Sequence, residues 1–467
     1  MVQERLKRVL PFGALSRRSV LTRGGVVAAG AGAAVVGAVT IGAAAHRDQP
    51  TGGSQSGETA YNVRDFGAAG DGRSDDTDVI QQAIASARAG GGVVFFPPGV
   101  YLTRRLTLHT GIHLRGSGGD ATVLRLKPGA NSAILESDRF EELTGGRGDS
   151  GITMFSVRDL TLDGNKSRNA SGGYGIRVYG YGYELSEVVV FNCRDDGVLS
   201  EWGPAAALPF PSHQMEARLS GIRSHDNDGN GFNFSGPHDS MFINCVASEN
   251  GATGFRLAGD GAGTSMVNCH AWGIRQDVSF DLATPNISCM NCYADINGGV
   301  GVRISRNDCR WIGGVVLGAN PPQPNQEIGV QFVAGTPVNE PAGSMVDTKI
   351  LNCATAAVDF TADRGLSSVR AVVSQPDVTD GNGRRLPATG RGWIGVPAPT
   401  TQVEITAGLG DAAQNLVIRP AFDLRAQATP PSPQADGVRI FARKQGNQTQ
   451  LCARFPGGAV HVLAADV

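Results

Sequence analysis

The sequence predicts a right-handed parallel β-helix, an all-β solenoid, and three observations carry that expectation. The first is a repeat. The stretches VVVFNCRDDGVLS (188–200), INCVASENGATGFRLAG (243–259), VNCHAWGIRQDVSFDLA (267–283) and MNCYADINGGVGVRIS (290–305) share an apolar run, an Asn-Cys pair, a polar turn and a Gly opening an alternating segment. The second is the period: Asn244, Asn268 and Asn291 are 24 and 23 residues apart, the length of one coil, with alternation of strand type and no helical spacing. The third is composition, since 65 Gly and 18% charged residues in 467 suit a turn-rich chain.

Stacked coils lie ~4.8 Å apart, so a residue repeated once per coil stands over its own copy. Asn192, Asn244, Asn268 and Asn291 are therefore expected to form a hydrogen-bonded turn ladder, with Cys193, Cys245, Cys269 and Cys292 stacked inward as small apolar groups. Asn352-Cys353 marks a further coil, and Ser224-His225 stands where the pair has been replaced. Shared phase favours buried thiols over disulfides among the eight Cys, while Cys289 and Cys309 fall outside that phase and are free to pair. A net charge of -2 gives no electrostatic case for a nucleic-acid partner.

From the start of the chain, residues 1–45 read as a targeting segment. Ser16-Arg17-Arg18-Ser19-Val20-Leu21, a weakly apolar run and Ala43-Ala44-Ala45 resemble a twin-arginine signal peptide with its cleavage site. That resemblance implies a protein exported folded, acting outside the cytoplasm and free of the membrane after cleavage. Residues 46–58 read as a linker.

Residues 61–118, YNVRDFGAAGDGRSDDTDVIQQAIASARAGGGVVFFPPGVYLTRRLTLHTGIHLRGSG, have a physical reading of their own. Asp75, Asp76 and Asp78 favour a helix start, and Val79, Ile80, Ala83, Ile84 and Ala87 supply its apolar stripe. Gly90-Gly91-Gly92 ends it, Val93–Phe96 is a buried strand, and Pro97-Pro98-Gly99 turns into the first coil. Asp71, Asp75 and Asp76 are explained by turn and capping chemistry, so no metal site is assigned. The stretch resembles the amino-terminal module of the pectate-lyase-like superfamily, which includes polygalacturonases, rhamnogalacturonases, epimerases and phage tailspikes. The resemblance implies a cap over one end of the solenoid, and an organisation of β-helix over 59–395, with the cap at 59–118, and a different carboxy-terminal region over 396–467.

Residues 119–185 should form early coils, with a polar Gly-rich loop that contains Arg147-Gly148-Asp149. Tyr174, Tyr179, Tyr181 and Tyr183 suit either sugar stacking or cross-strand packing. Gly203–Gln214, with three prolines, interrupts the period as a projecting loop, and Trp202, Phe210 and His213 would stand on its wall. After Asn320 the repeat weakens. A proline-rich segment, QATPPSPQAD, leads to three short strands that could cap the far end or trimerise the protein, so a monomer or a homotrimer is expected.

Carboxylates cluster at Asp195 and Asp196 on one coil and Asp226 and Asp228 on the next, with Asp163 before them and Glu201 beside the inserted loop. Inverting glycoside hydrolysis needs two carboxyl groups ~6.5–9.5 Å apart, which adjacent coils can supply. The same aspartates also suit plain β-helix corners. Polygalacturonases offer a comparison: Asp195-Asp196 resembles their acidic pair, Asn227-Asp228-Gly229 their NTD motif in reversed order, and Gly301–Ser305 their RIK motif with Ser305 for Lys, while no GHG occurs. LTLDGNKSRN at 160–169 resembles a segment of alginate epimerases, but GVLSEW stands at 197–202 in place of their DPHE motif. A lyase would instead use Arg256, Arg275, Arg303, Arg306 and His270 as a basic strip, with His213, His225 and His238 nearby, and could recruit Ca²⁺. The resulting expectation is an exported polysaccharide-active enzyme without a resident cofactor. A glycoside hydrolase using Asp195, Asp196, Asp226 or Asp228 leads, with Trp202 and Tyr179–Tyr183 as sugar platforms. A polysaccharide lyase and a non-catalytic binding or tailspike-like protein are the alternatives.

Overall fold

A computed structural model describes residues 59–319 apart from 145–150, 203–214 and 260. Beyond these it describes 326–333, 341, 343–354, 356–359, 367–374, 378–379, 385–386, 426–427 and 439–465 less 447 and 456. The expected signal segment and linker, Arg147-Gly148-Asp149, the insertion with Phe210 and His213, and nearly all of the proline-rich segment lie outside the described residues.

The coils stack as three parallel ladders, the first, second and third sheets. Among the described residues the first two join into one 19-stranded sheet through strands such as Glu184–Phe191 that run across their corner, and the third strands form an 11-stranded sheet. In one coil the strands are Met241–Ile243, Val246–Ser248 and Thr253–Ala258, and in the next Ser265–Val267, His270–Gly273 and Val278–Ala283. Every strand pairs in parallel with its copy one coil away: Phe232 with Phe255, and Phe255 with Phe280. Alternation decides what faces in. Inward-pointing Phe232, Phe255 and Phe280 form a column of stacked rings with centroids 4.6 and 4.9 Å apart, and the Trp311 ring meets its end edge-on at 5.0 Å. The ring spacing equals the rung spacing, so a flat ring repeated once per coil stacks without strain.

At the amino-terminal end, helix α1 (Thr77–Gly90) buries Ile80, Ala83, Ile84 and Ala87 against strands Ala60–Asn62, Val93–Phe95 and Leu106–Leu108. Asp76 stands at its N-cap without a side-chain cap bond. Its carboxylate instead accepts from the amides of Ala69 and Gly70 at 2.7 and 3.0 Å, while Asp75 accepts from the Thr77 amide at 3.1 Å. Among the described carboxy-terminal residues, Arg439–Gln445, Gln448–Arg454 and Val460–Ala465 form an antiparallel sheet.

The ladder expected at the Asn-Cys pairs is redrawn by the structure. Asn244, Asn268 and Asn291 do share one corner, between the first and second strands, all in the left-handed region with φ of 52–54°. That conformation selects Asn, but the side chains there face outward and make one bond, Asn268 Nδ2 to Asn244 Oδ1 at 3.4 Å. Asn192 belongs to a different corner, after the second strand, because Phe191 pairs with His225. Gly221-Ile222, not Ser224-His225, occupies the replaced position, since Ser220 pairs with Ile243.

The buried ladder lies at that second corner and is built of other residues. Asn227, Asn250, Gln276, Asn297 and Gln326 are each fully buried. The Cys193 amide donates to Asn227 Oδ1 at 3.0 Å, Asn227 Nδ2 to Asn250 Oδ1 at 2.9 Å, and Asn250 Nδ2 to Gln276 Oε1 at 3.0 Å. Asn297 Nδ2 donates to Gln326 Oε1 at 2.7 Å, and Gln326 Nε2 to Cys353 Sγ. Cys193 and Cys353 thus end this ladder, whereas Cys245, Cys269 and Cys292 stack at the other corner. All eight thiols, Cys289 and Cys309 included, are free and buried, and burial pushes Cys309 up to about 12 and Cys353 up to about 11. A Cβ at Gly197, Gly231 or Gly301 would come within 2.7–2.8 Å of the amide nitrogens of Asn227, Asn250 and Gln326, which explains the Gly at the start of these third strands.

Truncating Asn250 to Ala would leave the Asn227 amide and the Gln276 carbonyl unpaired in the core. At ~1–3 kcal/mol for each orphaned group, chemical denaturation should show a loss of about 3 kcal/mol. Asn268→Gly on the outer ladder should stay within about 0.5 kcal/mol of the parent.

Candidate active site

The outward face of the third sheet carries a continuous run of ionisable side chains along its strands. One outward row runs Glu136, Arg177, Leu199, Asn233, Arg256, Asp281 and Arg303, each paired with the next across adjacent strands. A second row pairs Tyr179 with Glu201 and Glu201 with Ser235. The chain segments 138–151 and 202–217 both leave the end of a third-sheet strand, so both start at the rim of this face.

Arg177 is held from two sides, 3.3 Å from Glu136 and 2.7 Å from Glu141, with its guanidinium 4.0 Å from the Phe140 ring and 5.3 Å from that of Tyr174. Glu201, one strand over and half-buried, has its carboxyl raised above the ordinary range. Burial is the main cause, and Arg177 opposes it only in part. Tyr174 is raised as well, by burial first and then by the charges of Asp195, Asp196 and Glu201. Tyr174, Arg177, Glu201 and the Asp195-Asp196 pair therefore form one electrostatic neighbourhood. Glu201, its carboxyl raised above the ordinary range, is the group in it best suited to proton transfer. Sequence reasoning placed Glu201 only beside the insertion, although its position at the outward end of strand Val198–Glu201, before the long insertion, was the available signal.

The expected catalytic aspartates are brought to one corner but are mostly engaged. Asp196 is 8% exposed, and its carboxylate accepts from the Asn230 amide, Asn230 Nδ2 and Asn233 Nδ2 at 2.6–2.8 Å. It locks the turn to the next coil. Asp195 is raised by burial and by Asp196, with the amides of Gly172 and Gly173 opposing. Asp226 has φ 54° at the corner and its carboxylate lies 2.8 Å from His225 Nδ1. Asp228 receives Lys166 at 2.9 Å, Arg194 at 2.8 Å and Arg275 at 3.2 Å. Burial pushes its carboxyl up, but these three cations together outweigh that and hold it below the ordinary range.

The expected binding residues are dispersed. Tyr183 is buried, stacked on Phe155 at 4.7 Å and hydrogen-bonded to Ser200 Oγ at 2.6 Å. Trp202 is 7% and Tyr179 6% exposed, and the Trp202 ring lies 5.2 Å from Tyr179 and 5.1 Å from Tyr181. Trp202 and Tyr179 are thus covered by packing at the end of the third sheet and are not open sugar platforms, whereas Tyr181 stays partly exposed. The basic strip divides too. Arg256 and Arg303 flank Asp281 on the third sheet, and Arg256 also donates to Asn233 Oδ1 at 2.9 Å. Arg275 sits at the corner on Asp228 and the Glu249 carbonyl. His270 is on the second sheet, stacked on Tyr293 at 4.6 Å. His225 stacks on Phe191 at 5.4 Å, and His238 lies 3.0 Å from Asp239. The cause is the register: residues that alternate along one strand and follow one another along the chain face different sheets. Among the described residues no three His, Cys, Asp or Glu side chains are grouped to hold a metal ion.

Comparison with known proteins agrees with this architecture. Residues 60–279, just under half of the chain, match the model of the family described as rhamnogalacturonase A/epimerase, pectate lyase-like, and over that stretch the chain is similar to the pectate-lyase-like β-helix proteins. A mannuronan C5-epimerase of Azotobacter vinelandii is 36% identical over 214 residues, which are 42% of this chain and 36% of that one. An alginate lyase of the same organism is 32% identical over 215 residues, 42% of this chain and 23% of that one. The chain thus spans 36% or less of the length of these curated relatives. The solved A-module of an A. vinelandii mannuronan C-5 epimerase aligns over 68% of this chain and 100% of its own with a TM-score of 0.49 and 22% identity.

The cations around Asp228 set a pH dependence of stability. A carboxyl held low in the fold stabilises it above the unfolded value of about 3.9, and this is lost as pH falls through the lower folded value. Asp228→Asn should therefore melt below the parent at pH 7 by differential scanning fluorimetry, and the gap should close as pH falls below about 4.

Proposed function

We infer that this chain is a polysaccharide-active enzyme working along the outward face of the third sheet, and that it acts on a uronate polymer by β-elimination. The observation that carries this reading is Glu201: a half-buried carboxyl raised by its surroundings, beside Arg177 and Tyr174, on a face where Arg256 and Arg303 follow along the helix axis. Elimination starts by removing the proton next to the uronate carboxylate. That step needs a base, for which Glu201 is suited, and positive charge or donors to hold the enolate-like charge that develops, for which the arginines are suited. Tyr174, kept protonated by its raised value, can donate to the departing oxygen. The names of the similar proteins, a mannuronan epimerase and an alginate lyase, support a uronate polymer as substrate.

Hydrolysis by an aspartate pair has less support, because Asp196 and Asp228 are already saturated by protein donors and cations. C5-epimerisation shares the first proton abstraction and is favoured by the epimerase relative, but that reading has to work without a DPHE motif in this sequence. Export by the twin-arginine route belongs to the same proposal and would bring the enzyme to polymers outside the cytoplasm.

The test follows alginate and pectate digests for ultraviolet absorbance and reducing ends together. Elimination predicts that both rise in parallel. It also predicts a rate that increases with pH through a carboxyl value above the ordinary ~4.3, with Glu201→Gln slowing turnover ~100-fold or more and removing that limb. Reducing ends without absorbance would replace this reading by hydrolysis. Deuterium incorporation from heavy water without new ends would replace it by epimerisation.

A further inference from the structure

A concave site lies on the first sheet, on a different face from Glu201. It has a volume of about 520 Å³ and is lined by His113, Ser156, Glu184 and Arg218, with Met154 and Glu216 at its rim. The first four stand on consecutive strands in one outward row: His113 pairs with Ser156, Ser156 with Glu184, and Glu184 with Arg218. Adjacent rungs are ~4.8 Å apart, so the row offers an imidazole, a hydroxyl, a carboxylate and a guanidinium over ~14 Å. His113 Nδ1 and Ser156 Oγ are 2.8 Å apart. Glu184, Glu216 and Arg218 have no ion-pair partner among the described residues.

The backbone at the rim gives an independent observation. The corner that precedes the first strand of each coil is left-handed, and most coils place Gly, Asn or Asp there: Gly111, Gly182, Asp239, Gly263, Asn286 and Asp308. The two exceptions in this stretch are Met154 at φ 54° and Glu216 at φ 44°. A side chain without a local hydrogen-bonding reason to adopt that region is strained there. Both exceptions line the cavity, and Met154 is 69% exposed. Arg139, Glu187, Glu249 and Ile296 are left-handed elsewhere in the chain, but at this recurrent corner the two residues other than Gly, Asn or Asp both line the one concavity, which marks their side chains as kept for what they touch.

We propose that this cavity binds an uncharged sugar unit, at a site separate from the third-sheet face. The Met154 side chain offers an apolar surface for the ring's C–H face, Glu184 and Glu216 accept from neighbouring hydroxyls, and Arg218 and His113 donate to ring and hydroxyl oxygens. Two carboxylates, Glu184 and Glu216, face one guanidinium, Arg218, around the cavity, which selects against a uronate and for a neutral sugar. The site would tether the enzyme to neutral sugars of a mixed polymer or matrix while the third sheet works on another stretch.

The experiment is calorimetric titration of the full chain with mannotetraose, cellotetraose and a mannuronate trimer. The expected result is binding of at least one neutral oligosaccharide and weakening by tenfold or more in Arg218→Ala and Glu216→Gly. Glu216→Gly relieves the left-handed strain, so its melting temperature should rise while its affinity falls, a combination that a structural role for Glu216 does not produce. Glu201→Gln should bind the neutral probe as the parent does, whatever its effect on turnover. The proposal is overturned if neither neutral probe binds, if binding is unchanged in Glu216→Gly, or if Glu201→Gln abolishes it, which would locate the ligand on the third sheet.

Discussion

The fold depends on satisfying buried amides at one corner of every coil. A parallel solenoid must turn its chain between the second and third strands inside the core, where water cannot pair the side chains. Asn227, Asn250 and Gln276, then Asn297 and Gln326, solve this by donating to one another along the axis. Each rung is worth only ~1 kcal/mol net, and where the ladder breaks between Gln276 and Asn297 the two side chains are paired locally instead, Gln276 Nε2 with the Trp272 carbonyl and Asn297 Nδ2 with Ser279 Oγ. The ladder also dictates Gly197, Gly231 and Gly301, since a Cβ there would strike the amides.

That register in turn decides the chemistry of each face. On the third sheet, alternation turns Phe232, Phe255 and Phe280 inward and leaves Asn233, Arg256 and Asp281 outward in one row. Asp281 is raised by burial, with Arg303 and Arg256 opposing, which shows that even this outward row is partly withdrawn from water. Glu201 occupies the same face near the departure of two long chain segments, where solvent exclusion raises a carboxyl. Asp196 and Asp228 sit one corner away, where their oxygens are consumed in joining coils.

The first sheet uses the same geometry for a different result. Its outward row places His113, Ser156, Glu184 and Arg218 over a concavity, and the adjoining corner tolerates Met154 and Glu216 in a conformation that other coils give to Gly, Asn or Asp. A solenoid can carry independent sites on separate faces because each coil contacts chiefly its neighbours.

The sequence by itself determined the parallel β-helix, the coil length, the capping helix with buried Ile80, Ala83 and Ile84, and the burial of free thiols. These follow from periodicity and local propensity, which any stretch of chain carries within itself. The position of the ladder and of the site was decided only in three dimensions. Asn192-Cys193 and Asn244-Cys245 look alike as dipeptides, yet they sit at different corners because the strand before each pair differs in length, and a shift of strand register moves a residue to another face. Trp202 reads as a platform beside the insertion and Tyr183 suits either stacking or packing until the fold buries both, and Glu201 was one carboxylate among many until burial raised it. Burial and pairing depend on which coil lies alongside, and that is a property of the stacked chain, not of any segment of it.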